Sequence, residues 1–169
     1  TAVLLFAASA FADIKAFNAA VTAGNYKQAA IEAKTVWATW DRQRSDTALI
    51  AREFGYISYL AGDFAGARDF GQFLKDEGKN LATPDDSPIT SAVLLAVANF
   101  RLKQDDKTRA ALFNGLNETH NLPDVDVLAI LAAEALYASD WKSGNYRNAV
   151  DSTKLAAAIL ARGGKGLTV

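Results

Sequence analysis

Ala23-Gly24-Asn25-Tyr26-Lys27-Gln28-Ala29 decides how this chain folds, because the sequence returns to it. Ala61-Gly62-Asp63-Phe64-Ala65-Gly66-Ala67 and Ser143-Gly144-Asn145-Tyr146-Arg147-Asn148-Ala149 are plain copies. Gln104-Asp105-Asp106-Lys107-Thr108-Arg109-Ala110 is a degraded one, with Asp105 read in the glycine's place. Each part has a physical sense. The glycine reaches the left-handed conformation that ends a helix. The amide or acid after it offers a side-chain oxygen to the orphan N–H groups of the next helix. The aromatic is that helix's first anchor, and the alanine three residues on is small enough for close helix approach.

Counted from Gly24 through Gly62 and Asp105 to Gly144, the units recur every 38, 43 and 39 residues. A helix-turn-helix unit with a period near 40 is the mark of an α-solenoid. The order of turn glycine, acid or amide, aromatic and alanine resembles the tetratricopeptide repeat family, and Gly55 stands where that family's small first-helix residue belongs. The likeness runs over residues 13 to 163. It departs in its period, longer than the family's roughly 34 residues, in the missing first-helix tryptophan, and in Asp105. The resemblance implies an all-α, right-handed solenoid of about four antiparallel helix pairs that holds a peptide or protein segment in its concave groove.

The chain in order fits that plan. Residues 1–12 form an uncharged apolar run ending Ala10-Phe11-Ala12, which matches the core and cleavage site of a secretory signal. The expectation is therefore export to the periplasm of a bacterial cell envelope, with a docked first helix as the competing reading. The run is too short to span a bilayer. Apolar periodicity then predicts helices over 13–21, 26–40, 47–60, 64–75, 89–103, 107–118, 125–142 and 146–162. The three prolines, Pro84, Pro88 and Pro123, fall in or beside the linkers between units. Residues 164–169 read as a tail.

Composition closes several routes. There is no cysteine, which removes disulfides and thiol chemistry together. His120 is the one histidine and stands beside a proline break, as a solvated loop residue would. No HExxH pair, G-x-S-x-G elbow or cofactor motif is present. Gly163-Gly164-Lys165-Gly166 follows a helix, so it reads as a terminal cap and not a phosphate loop. The acidic pairs Asp85-Asp86, Asp105-Asp106 and Asp124/Asp126 precede helix starts, where capping and the helix dipole favour them. A net charge of −1 supplies no global field for nucleic acid.

The remaining functional expectation is positional. In the resembled family the first helix of each unit lines the groove. Counting back from each turn residue gives Asn18, then Arg52, Tyr56 and Tyr59, then Asn99 and Lys103, then Glu134 and Trp141. Arg52 and Tyr56, four residues apart, share one helix face. Such a mixed aromatic and polar row suits a polypeptide partner. Tyr59 and Trp141, next to the turns, could equally pack against neighbouring helices. The alternative function is a small-molecule or enzyme pocket built on carboxylates around Glu134.

Overall fold

Three of the four turns close as the glycines require. In a computed structural model of the protein, Gly24, Gly62 and Gly144 have φ of 69°, 80° and 74°. Each turn carries the same pair of hydrogen bonds: Asn25 N–H donates to the Ala20 carbonyl and Gly24 N–H to that of Val21. Asp63 and Gly62 reach Ser58 and Tyr59, and Asn145 and Gly144 reach Asp140 and Trp141. These are Schellman closures. A Cβ on any of the three glycines would meet nothing within 4 Å, so backbone conformation and not space demands glycine there.

The third turn corrects the expected register. Its left-handed residue is Gln104, at φ 53°, and not Asp105. Gln104 N–H donates to the Phe100 carbonyl at 2.7 Å, the single-bond version of the left-handed cap. Asp105 is instead the N-cap: its Oδ1 accepts from Thr108 N–H at 2.8 Å, as Asn25 Oδ1 accepts from Gln28 and Asp63 Oδ1 from Gly66. The four turn residues therefore stand 38, 42 and 40 apart, a more even repeat than the sequence alignment suggested. Those hydrogen bonds, led by the Thr108 N–H, hold the Asp105 carboxyl below its ordinary pKa.

The structure describes residues 14–82, 88–119 and 127–163. Within them the chain is helical with no strand, and eight helices pack as sequence-adjacent pairs. Helix α1 covers residues 14–22. It is followed by α2 (Tyr26–Thr39), α3 (Thr47–Leu60), α4 (Phe64–Glu77), a 3-10 turn (Gly78–Asn80) and α5 (Pro88–Lys103). Then come α6 (Asp106–Thr119), α7 (Val127–Lys142) and α8 (Tyr146–Gly163). The readings placed on residues 1–12, on His120, on Asp85-Asp86 and Asp124/Asp126, and on 164–169 lie outside the described residues. Two compact units result, Thr1–Asp86 and Ser87–Val169.

The first unit is held by rings. Phe54 on α3 is fully buried and meets Phe17 of α1 edge-on at 4.8 Å and Phe70 of α4 at 5.8 Å. Trp37 of α2 joins them, 5.2 Å from Phe70 and 5.0 Å from Phe73. Edge-to-face pairs of this kind add about 0.5–1.5 kcal/mol each beyond burial. Ala29, Ala33 and Ala67 are fully buried, as close helix packing requires. The charged linker after α2 is firmly tied. Arg42 lies 3.5 Å over the Trp37 ring and donates to the Trp37 carbonyl, and its burial lowers its pKa. Trp40 Nε1 donates to the buried Thr47 hydroxyl at 3.1 Å.

The second unit replaces one small residue by a charge. Ala29, Ala67 and Ala149 follow their turn residues by five, but the same position after Gln104 is Arg109. Its guanidinium grips both oxygens of Asp140 on α7 at 2.7–3.0 Å, tying α6 to α7. The Asp140 side chain is only 3 % exposed. This charge-assisted fork raises the Arg109 pKa further above its ordinary range. Around it Leu112, Leu116, Leu136 and Phe100 form an aliphatic and aromatic core.

Candidate functional site

The residues expected to face a partner divide between the two units. In the first, Asn18 on α1 is exposed, while Arg52 and Tyr56 on α3 are half-buried. Tyr59 is 8 % exposed and its ring lies 5.5 Å from Phe64, so it belongs to the core around the turn. In the second, Asn99 on α5 is half-buried and Lys103 is exposed. The corrected register moves the α5 equivalents of Tyr56 and Tyr59 to Ala98, which is fully buried, and Arg101, which is half-buried. On α7, Glu134 is exposed and Trp141 is 56 % exposed. Among the described residues no group of three or more histidine, aspartate or glutamate side chains is placed to hold a metal ion.

Trp141 does not stand alone. Its ring stacks on Tyr137, one turn earlier on α7, at 5.9 Å and 28°. Tyr146, at the start of α8, meets it edge-on at 5.0 Å. Tyr137 and Tyr146 are 41 % and 59 % exposed, and Val150, one turn along α8 from Tyr146, is 52 % exposed. Three aromatic rings and a branched aliphatic side chain thus face solvent across the α7–α8 turn. Exposed Lys142, Arg147 and Lys154 lie beside them in sequence. Large apolar side chains gathered at one exposed place are uncommon without a partner.

The aromatic after each N-cap has a different role from the one expected. Tyr26 and Tyr146 are exposed and Phe64 half-buried, so none of the three is a buried anchor. The pairs Tyr59–Phe64 and Trp141–Tyr146 are the same contact at equivalent positions, buried at its first ring in one case and open in the other. Tyr137 escaped the sequence reading, although its spacing of four from Trp141 put both on one face.

A second concavity is shallow. Lys27, Ala30, Ile31 and Lys34 of α2 border it with Ala61 and Asp63 of the next turn, and Lys34 Nζ pairs with Asp63 at 2.7 Å.

Fold and surface together define an all-α protein of paired antiparallel helices with an exposed aromatic cluster on its last pair. No family model, curated protein or solved structure matches the chain. Among the described residues no helix is long and apolar enough to cross a membrane.

Proposed function

We propose that the protein is a non-catalytic scaffold whose hairpins stack in the tetratricopeptide manner and bind a polypeptide. The observation that carries this reading is the solvent-facing cluster of Tyr137, Trp141 and Tyr146. Rigid aromatic side chains with a polar tip give large contact area at small entropic cost, and tryptophan and tyrosine dominate binding hot spots. Glu134 and Lys142 on the same helix supply a polar rim, the arrangement protein interfaces favour. Arg52 and Tyr56, one turn apart and half-buried on α3, are a second strip, in the first unit.

Photo-crosslinking from position 137 tests the reading. With benzoylphenylalanine there, the protein in its host should yield a discrete polypeptide adduct. Replacing Trp141 and Tyr146 by alanine should weaken that adduct at least tenfold, while the thermal midpoint changes little, because both rings are more than half exposed. No adduct, or one indifferent to both replacements, would remove the support for a polypeptide partner.

A further inference from the structure

The exposed aromatic row and the Arg109–Asp140 fork occur at the same turn, and only there. Three residues before the four turn residues stand Val21, Tyr59, Arg101 and Trp141, of which Trp141 alone is exposed. The two positions of the fork are occupied elsewhere by Ala29 with Ser58 and by Ala67 with Phe100, which carry no charge. Asp140 is held at both ends. Its carboxylate accepts from Nε and Nη2 of Arg109 at 2.7–3.0 Å, and its carbonyl accepts at 2.8 Å the Asn145 N–H that closes the turn. The next carbonyl, that of Trp141, accepts from Gly144 N–H at 3.1 Å. Tyr146 opens α8 directly after Asn145, and its ring lies 5.0 Å from that of Trp141.

We propose that Arg109 is a positioning residue for the aromatic row: from α6 it fixes the last turn of α7 and so sets Trp141 against Tyr146. Its consequence for binding rests on the reading of that row as the polypeptide-binding surface. Tyr59, the counterpart of Trp141 in the first unit, needs no such support, because burial beside Phe64 already fixes its ring. Trp141 has water on its open side, so the backbone beneath it decides where the ring stands. A guanidinium fork on a carboxylate fixes plane as well as distance, which a point charge does not. Asp140 transmits that constraint in two ways. It belongs to the same helical turn as Tyr137 and Trp141, and its carbonyl holds the residue from which Tyr146 departs. A row ordered before its partner arrives spares binding the entropic cost of ordering it.

The test uses the full chain and the double variant Arg109→Ala/Asp140→Ser, which removes the fork without stranding a charge. Amide hydrogen exchange at Asn145 reads the turn, and nuclear Overhauser contacts between the Trp141 and Tyr146 rings read the row. Gln104 is the internal control, because its N–H closes the neighbouring turn of the same unit on the Phe100 carbonyl. In the variant the Asn145 amide should exchange severalfold faster and the ring contacts should weaken, while the Gln104 amide keeps its wild-type rate. The adduct crosslinked from position 137 should fall about threefold or more. Arg109→Lys, which keeps the charge but not the fork, should move the same readouts by less, and it serves if the double variant fails to fold. Equal acceleration at Asn145 and Gln104 would overturn the proposal, since a general loss of stability would explain it. Unchanged exchange and ring contacts would overturn it too, and a wild-type adduct would then leave the polypeptide-binding reading standing. Exchange and ring contacts that change as expected, with no adduct from the wild type, would keep the positioning role and remove that reading.

Discussion

Gln104 shows at the level of one residue how a repeat survives loss of its defining side chain. A non-glycine residue in the left-handed region costs about 1–2 kcal/mol, which glycine avoids. The chain carries that cost at φ 53° and keeps the hairpin, because the cap bond to Phe100 and the Asp105 N-cap remain. Opposite substitutions should therefore have opposite signs. Gly62→Ala should destabilise by about 1 kcal/mol, since its backbone is left-handed and its side-chain space is empty. Gln104→Gly should stabilise by up to about 1 kcal/mol, strain relief outweighing the added freedom of the unfolded chain. Denaturant midpoints moving in the same direction for both would contradict the assignment. The left-handed role of the three glycines was legible because no other residue type adopts that conformation so freely. Gln104 was not, since nothing in a glutamine advertises positive φ, and the alignment settled on the neighbouring aspartate instead.

Among the helices, the Arg109–Asp140 fork is the interaction that most departs from the repeat. The other pairs have alanine where Arg109 stands, and α3 has Ser58 where α7 has Asp140. Removing one partner of a buried pair strands a charge, at about 3–5 kcal/mol for full burial. Arg109→Ala, which strands a carboxylate only 3 % exposed in the intact pair, should cost about 3 kcal/mol. Asp140→Ser should cost less, because the Arg109 side chain is 21 % exposed and water screens what remains. The double variant restores the small pair used elsewhere and should recover much of the loss, giving a coupling energy of about 1–3 kcal/mol. Chemical denaturation of the four proteins checks the cycle, and additive losses would mean that the two side chains act independently. Helix positions were readable from apolar periodicity, because burial alternates with the helical turn: α3 begins and ends where expected. The fork was not readable, since an arginine and an aspartate 31 residues apart are joined only by packing.

Across the whole molecule, the four turn residues were enough to predict an all-α chain of paired helices, and the structure has that organisation. The candidate surface was less legible. Trp141 was chosen by its distance from a glycine, and Glu134 by the same count, yet equal counting also selected Tyr59, which is buried. Distance along the chain fixes which face of a helix a residue occupies; what stands opposite that face decides whether water reaches it. Tyr137 and Tyr146 belong to the surface because, among the described residues, no side chain buries them. The central claim is that four left-handed residues divide the chain into four hairpins. Backbone dihedrals from solution NMR chemical shifts and three-bond HN–Hα couplings test it most directly. The account predicts positive φ at Gly24, Gly62, Gln104 and Gly144, each flanked by helical shifts on both sides. Negative φ at Gln104, with helical shifts running unbroken from Phe100 to Arg109, would contradict it.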